Sequence, residues 1–214
     1  MTQLSTQRGN ILVHGLVTII RQNRDYLSEI DGAIGDGDHG INMAKGFTLC
    51  GDKLHDSQSL AQAFDTLSDA LMEGIGGSMG PLYGSLFMGM ANSIRDKSSL
   101  TAGEFAAMLR AGLLELQDIS EARVGDKCLM DTLIPAVEAA ERTAAMGYLS
   151  MLAAIRQAAV IGRDSTRDLV AKIGRASRLG ERSRGVLDAG AVSCCLLLTQ
   201  MAVFVEEALD TTTA

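Results

Sequence analysis

Three aspartates that share one short, glycine-rich segment are the residues of this sequence best suited to chemistry. Asp31, Asp36 and Asp38 fall within eight residues, with glycines interleaved between them. Because like charges at short range repel one another, such a cluster is costly unless a cation neutralises it. Carboxylate oxygens without a cysteine or second histidine nearby favour Mg²⁺ over Zn²⁺, and Mg²⁺ completes its shell with water and phosphate oxygens. The segment therefore predicts a magnesium site that also binds phosphate.

The same segment has other interpretations. A solvated Asp–Gly turn, in which Asp38 caps the following helix, stays open on the residues alone. An EF-hand is excluded, because the third acidic ligand position and the distal glutamate are missing. Gly35, Gly37 and Gly40 fit the dinucleotide-binding GxGxxG pattern. However, no strand precedes them, and bare carboxylates would repel a pyrophosphate, so that interpretation fails on context.

A second glycine-rich loop, Gly74–Pro81, runs directly into an apolar helix expected to begin near Leu82. Glycines let backbone amides approach an anion, and Pro81 suits the first turn of a helix. The free amides of a helix N-terminus form a ready phosphate site, although tight helix packing through small residues explains the glycines equally well. No P-loop pattern occurs, so phosphate binding would have to combine this loop with the metal ions.

A long polar segment, Gly162–Gly190, is positively charged in an otherwise acidic chain. Between Arg163 and Arg184, seven basic residues stand against three acidic ones. Loops of this length in compact domains are usually functional. The segment could cover a bound phosphate, dock a partner, or be a plain solvated loop.

Helical spacing of apolar residues recurs throughout the chain and predicts the elements that position these loops. Thr101 and Glu104 form a capping box at the start of one helix. We expect a single all-α domain over residues 1–214, without strands. The eight expected helical segments are Ile11–Leu27, Met43–Leu54, Leu60–Leu71, Leu82–Ile94, Phe105–Leu113, Leu129–Ala145, Leu149–Ile161 and Ala191–Leu209.

Composition and charge exclude several classes of function. The net charge of -7 argues against nucleic-acid binding, which needs a cationic surface. The four cysteines show no zinc-ligand spacing and fit small core residues of a cytoplasmic protein. The apolar run Ala189–Val205 is interpreted as a buried helix, too short to span a membrane, and residues 11–20 lack the cleavage site of a signal peptide. We expect neither a membrane nor a nucleic-acid partner.

Four longer blocks of sequence carry a family resemblance. In chain order they read IGDGDHGINM, GGSMGPLYGSLF, VGDKCLMDTLIPAVEA and GRASRLGERSRGVLDAGAVS. Their order and spacing resemble the successive motifs of the dihydroxyacetone kinase L subunit family over essentially the whole chain. The resemblance implies an eight-helix antiparallel barrel that binds a nucleotide, ADP or ATP, at one end.

The resemblance also implies roles for individual residues. Asp31, Asp36 and Asp38 would hold two Mg²⁺ ions that bridge the nucleotide phosphates. His39 and Asn42 would contact phosphate or ribose, and Leu129 would border the adenine. The remaining nucleotide-binding residues would be Gly77, Ser78, Met79, Arg175, Asp188, Ala189 and Gly190.

The sequence departs from the family pattern at three places. The family usually reads Gly-Gly-x-Ser-Gly, whereas here serine lies one place earlier and Met79 takes its position. The usual GDKTM becomes GDKCL around Cys128, and the usual Asp-Pro-Gly has Ala189 at its centre. These departures suggest a divergent branch, in which the sugar substrate could differ from dihydroxyacetone.

The activity implied by the resemblance is phosphoryl transfer to a short keto-sugar held on a separate K subunit, within glycerol metabolism. In the phosphotransferase-system version, bound ADP is rephosphorylated in place by a phosphohistidine protein, the M subunit. An ATP-dependent kinase, acting on a sugar such as erythrulose, is the alternative. A nucleotide-sensing regulatory protein without turnover is another, and a homodimer stays open.

Overall fold

The computed structural model describes residues 2–213, and this part of the chain is predominantly helical. A two-residue strand, β1 (Leu4–Ser5), pairs in antiparallel fashion with β2 (Ser99–Leu100). Three short 3-10 segments lie at Ala144–Met146, Thr166–Asp168 and Arg175–Ser183. The α-helices are α1 (Asn10–Gln22), α2 (Arg24–Ile34), α3 (His39–Gly51), α4 (Leu60–Gly74), α5 (Met79–Ile94), α6 (Ala102–Asp118), α7 (Met130–Thr143), α8 (Tyr148–Ser165) and α9 (Ala189–Thr213).

Eight of these helices form a closed antiparallel ring. Neighbours pack in the order α1, α3, α4, α5, α6, α7, α8 and α9, and α9 packs back against α1. The remaining helix, α2, packs on α3 and α9. Because successive helices of the ring alternate in direction, α3, α5, α7 and α9 all begin at the same end. The predicted all-α, eight-helix antiparallel barrel is confirmed.

The first expected helix, Ile11–Leu27, is two helices. The chain breaks at Asn23, whose backbone leaves the helical region at φ -101° and ψ 11°. The Asn23 side-chain amide donates to the Ile19 carbonyl over 2.8 Å, so it caps the end of α1. The apolar spacing gave no sign of this break, because Leu27 continues the buried stripe after the bend.

The expectation of a chain without strands is also wrong in one detail. A two-residue pairing is too short to leave an alternating pattern in the sequence. It lies at the end of the barrel opposite the start of α3, where Tyr148 Oη donates to the Leu100 carbonyl over 2.8 Å. The β1–β2 pair therefore helps to close that end.

Local sequence signals set several helix starts. The predicted capping box of α6 is present, with the Thr101 hydroxyl accepting from the Glu104 amide. An equivalent box, which we did not predict, joins Ser59 and Gln62 at the start of α4. Pro81 lies in the first turn of α5, as expected, although that helix begins at Met79 rather than near Leu82.

The interior of the ring is one hydrophobic core that draws on all the ring helices. Phe87 is fully buried in it, with its ring centroid 5.5 Å from that of Phe64 and 6.4 Å from that of Phe47. Helix α9 is longer than the apolar run suggested. Its segment Ala189–Asp210 reaches the length and hydropathy of a membrane span, but 61% of the apolar window is buried within the protein. The predicted buried helix is thus present, while the length argument used for it was wrong.

Candidate nucleotide and metal site

The end of the barrel where α3, α5, α7 and α9 begin contains a cavity of about 810 Å³. Residues at the start of each of these helices line it: His39, Met79, Leu129 and Ala189. Helix N-termini present free amide groups and a partial positive charge. Four of them around one cavity create a positive electrostatic potential that suits a polyanion such as a nucleoside diphosphate.

The three aspartates meet at one edge of this cavity, Asp31 from the last turn of α2 and Asp36 and Asp38 from the connection to α3. One carboxylate oxygen from each of Asp31, Asp36 and Asp38 lies within 4.8 Å of the others. The Asp38 side chain makes no capping bond to α3, so the simple capped-turn interpretation finds no support. Three carboxylates converging on one point, with room for water and phosphate beside them, fit the oxygen-rich shell that Mg²⁺ requires.

Glycine is required within this turn. A Cβ at Gly35 would lie 2.5 Å from Asp31 Oδ1, and Gly37 has a φ of +77°. A side chain at either position would clash or strain the backbone. The Asp31 carboxylate also accepts a long hydrogen bond, 3.4 Å, from the His39 amide, which ties the last turn of α2 to the first turn of α3.

The long basic segment reaches this edge from the opposite side. We call residues 167–185 the arginine loop, and its Arg175 guanidinium forms an ion pair with the Asp36 carboxylate. Gly174, just before it, has a φ of +67°, which favours glycine. The loop therefore extends over the aspartates and places a cation where a metal-bound phosphate would need one.

The glycine-rich loop forms the wall between α4 and α5. Gly77 has a φ of +75°, and nothing lies within 4 Å of the position that its Cβ would take. Ser78 immediately precedes α5, and its hydroxyl makes no capping bond. The amides at the start of α5 and the Ser78 hydroxyl are thus available to a ligand beside Met79.

A buried hydrogen-bonded group of three side chains lies at the cavity, which two of them, His39 and Tyr83, line. His39 Nε2 is 3.0 Å from Ser193 Oγ, and Tyr83 Oη is 2.6 Å from the same oxygen. Burial lowers the pKa of His39 to about 4, which keeps its imidazole neutral near pH 7. Since Nε2 is taken by Ser193, the other ring nitrogen, Nδ1, is the one left for a ligand.

The start of α9 supplies the residues on the far side. Asp188 Oδ2 accepts from the Ala191 amide over 2.7 Å, which caps the helix. Burial raises the pKa of Asp188 to about 7. A Cβ at Gly190 would lie 3.4 Å from the Leu129 amide, so glycine lets α9 and α7 approach closely.

The structure brings every predicted site residue to this one cavity: Asp31, Asp36, Asp38, His39, Asn42, Gly77, Ser78, Met79, Leu129, Arg175, Asp188, Ala189 and Gly190. Beside the predicted Leu129 it also adds apolar residues that the sequence did not single out, and together they form an apolar wall: Ile34, Leu82, Ile119, Cys128 and Ile173. Such a wall beside a polyanion site suits a flat, uncharged group such as a nucleobase.

Comparison with known proteins places these features in a family. Residues 33–203 match the DAK2 domain. The chain is 37% identical over 185 residues to the ADP-binding subunit of PEP-dependent dihydroxyacetone kinase 2 of Listeria innocua, covering 84% of this chain and 86% of that one. It is 33% identical over 194 residues to the corresponding ADP-binding subunit of Escherichia coli, covering 88% and 92%.

Among solved structures, the fold is similar to that of dihydroxyacetone kinase from C. freundii in complex with AMP-PNP and Mg²⁺. The TM-score is 0.69 at 21% identity, and the match covers 90% of this chain and 33% of that one. At this identity the likeness shows the shared helical fold. The family match over residues 33–203 and the relatives at 37% and 33% identity show that the chain belongs to the DAK2 domain family.

Proposed function

We propose that this chain is the ADP-binding subunit of a PEP-dependent dihydroxyacetone kinase. The observation that carries the proposal is the convergence of three carboxylates and four helix N-termini on one cavity. The sequence relatives named above are ADP-binding subunits of this kinase, and this chain spans most of their length. In this proposal residues 1–214 act as one nucleotide-binding domain, consistent with the single core found in the part of the chain that the structure describes.

The aspartates would hold the metal of this nucleotide. Asp31, Asp36 and Asp38 offer enough carboxylate oxygens for two Mg²⁺ ions, each completed by water and phosphate oxygens. When bound, these ions supply charge neutralisation and alignment of the phosphates for in-line transfer. No other cluster of potential metal ligands occurs in the part of the chain that the structure describes.

The protein's own groups would complete the electrostatic environment. The amides at the start of α5, together with Gly77 and Ser78, donate toward the phosphates, and Arg175 adds a guanidinium from above. His39, and Asn42 one turn further along α3, face phosphate or ribose. Leu129, Ala189 and Gly190 border the base, with Asp188 fixing the start of α9.

The reaction partners follow from the same proposal. A separate K subunit would hold dihydroxyacetone against the open end of the barrel, where the phosphates lie. A phosphohistidine protein, the M subunit, would rephosphorylate ADP while it stays bound.

Free cysteines and the largely buried α9 fit a cytoplasmic location. Two copies forming a homodimer would double the mass measured by light scattering.

Reconstitution tests the proposal. The purified chain is mixed with a cognate K subunit and dihydroxyacetone, and either ATP or the complete phosphoenolpyruvate relay is supplied. We expect dihydroxyacetone phosphate only with the relay, and stoichiometric ADP in the supernatant after heat denaturation of the untreated chain. Product with ATP alone would identify a nucleotide-exchanging kinase. Bound nucleotide without product under either condition would contradict the kinase and favour a regulatory protein.

A further inference from the structure

Lys127 is a buried lysine with an unusual backbone, directly before the apolar wall of the cavity. It is 2% exposed, and its φ of +65° lies in the left-handed region that residues with a side chain rarely adopt. Lys127 itself and the next two residues, Cys128 and Leu129, line the cavity. A strained, buried lysine at this place calls for a specific reason.

The turn that contains Lys127 is held by one buried carboxylate. Asp131 accepts hydrogen bonds from the Gly125 amide over 2.6 Å and from the Cys128 amide over 2.7 Å. These bonds fix the backbone on both sides of Lys127 and so impose its conformation. Burial lowers the pKa of Lys127, while the carboxylates of Asp188 and Asp131 favour its charged form.

The Lys127 ammonium bridges the two ends of the arginine loop. Its Nζ donates to the Thr166 carbonyl over 2.5 Å and to the Val186 carbonyl over 2.6 Å. Thr166 and Val186 are the residues that flank the loop. The loop is also closed at its base by the Gly185 amide, which donates to the Arg167 carbonyl over 2.8 Å.

Thr166 links the same junction to α9. This residue is fully buried, and its hydroxyl accepts from the Asp188 amide over 3.0 Å while donating to the Arg163 carbonyl. Lys127 and Thr166 therefore join the end of α8, the base of the arginine loop, the start of α9 and the apolar wall. Nothing else described between Gly125 and Leu129 donates a side-chain hydrogen bond to that base.

We propose that Lys127 is a positioning residue that holds the arginine loop closed over the bound nucleotide, acting through Arg175, because its ammonium donates to two backbone carbonyls at the base of that loop. This inference rests on the proposed function. Without the ammonium, the buried Thr166 carbonyl and the partly buried Val186 carbonyl would lose their donor, and the base of the loop would separate. Arg175 would then spend less time over the phosphates, and the nucleotide would leave faster.

The test compares Lys127→Met with Lys172→Met in the full-length chain. Lys172 lies within the arginine loop but is exposed, pairing only at the surface with Asp126 over 3.4 Å. Radiolabelled ADP is bound in Mg²⁺ and chased with unlabelled ADP. We expect release to be faster by about tenfold or more for Lys127→Met, and unchanged for Lys172→Met. Trypsin should cut the arginine loop of Lys127→Met sooner, while the circular dichroism spectrum stays that of the wild type.

The outcomes separate the two proposals. A wild-type chain that binds no ADP contradicts the proposed function itself. Wild-type retention together with equally slow release from folded Lys127→Met overturns the positioning role, and so does a lower melting temperature without a change in release. If Lys127→Met does not fold, Lys127→Gln replaces it. The shorter, neutral side chain cannot bridge the Thr166 and Val186 carbonyls, and wild-type release from that variant would also overturn the inference.

Discussion

At the scale of a single residue, Ser193 orients the imidazole of His39, the histidine expected to bind the ligand. It is fully buried and contacts both His39 and Tyr83. Ser193→Ala removes the partner of His39 Nε2, so the imidazole can rotate and Nδ1 is no longer fixed toward the cavity. We expect a loss of stability of about 1–3 kcal/mol, with a severalfold weaker affinity for ADP measured by calorimetry in Mg²⁺.

Ser68→Ala is the matched control for that variant. Ser68 is also a buried serine, and it donates to the Gly84 carbonyl over 2.8 Å, away from the cavity. Its removal should reduce stability by a similar amount and leave ADP affinity unchanged. Equal affinity losses in the two variants would show that Ser193 acts only through general stability.

A second residue-scale prediction concerns pH and Asp188. Burial raises its carboxyl pKa to about 7, from an ordinary value of 3.8, so the folded state holds this proton in a range where the unfolded chain has released it. Stability from this group is therefore present below about pH 4 and is lost as pH rises to about 7. Asp188→Asn removes the titration but keeps an oxygen that can accept from the Ala191 amide.

Urea denaturation of the metal-free protein, at a series of pH values, measures this effect. We expect the stability of Asp188→Asn relative to wild type to increase by roughly 2–4 kcal/mol between about pH 4 and pH 7. Because other groups titrate alike in both proteins, the difference isolates Asp188. A difference that does not vary with pH would mean that the Asp188 carboxyl is ionised throughout.

The sequence located most of the ligand-facing residues, because their motifs are short and local. Asp31, Asp36 and Asp38 lie within eight residues, and the fold had only to close one turn around them. Tyr83 and Ser193 were not predicted, since their role arises where α5, α9 and α3 meet. No pattern within one segment records such a contact.

At the scale of elements, Gly40 sets how closely α2 and α3 approach. A Cβ at this position would lie 1.9 Å from the Arg24 carbonyl and 2.8 Å from the Ser28 amide. Gly40→Ala therefore has to push the two helices apart, which we expect to destabilise the protein by about 2–4 kcal/mol. Since Asp31 lies on α2 and Asp38 directly before α3, the change should also weaken ADP binding in Mg²⁺.

Gly103→Ala is the control, because it should change stability in the opposite direction to Gly40→Ala. Gly103 is an exposed residue of α6, and its Cβ would approach nothing closer than Thr101 Oγ1 at 4.0 Å. The same substitution there should stabilise the protein by about 0.5–1 kcal/mol and leave ADP affinity alone. Urea denaturation gives both values, and a neutral Gly40→Ala would refute the close helix contact.

Helix periodicity predicted the eight ring helices well because each buries one long stripe. It failed at Asn23, where the chain bends but the buried apolar stripe continues. It also failed for the two-residue strand pair that joins Leu4 and Leu100, which is too short to leave a pattern. The antiparallel barrel was expected only from the family resemblance, and the structure gives the order of the helices around the ring. Periodicity alone identifies the buried face of a helix, but not the helix that packs against it.

At the scale of the whole molecule, the antiparallel ring couples nucleotide binding to global stability, because the helices that form the core also form the site. Alternation of direction brings four helix N-termini to a single end, where they attract an anion. The three aspartates at the same end repel it. A nucleotide should therefore stabilise the protein only when a metal ion compensates the negative charge of the three aspartates.

Thermal unfolding with ADP measures this balance. With Mg²⁺ and ADP at about one hundred times its dissociation constant, we expect roughly 2.7 kcal/mol of added stability and a melting temperature higher by about 5–10 °C. ADP with EDTA should produce almost no shift. Asp36→Ala should lose the shift in Mg²⁺ as well, whereas Asp69→Ala, which removes an exposed carboxylate of α4 outside the cavity, should retain it. An equal shift with EDTA would show that the helix N-termini and Arg175 hold the nucleotide without metal, and the aspartates would then need another role.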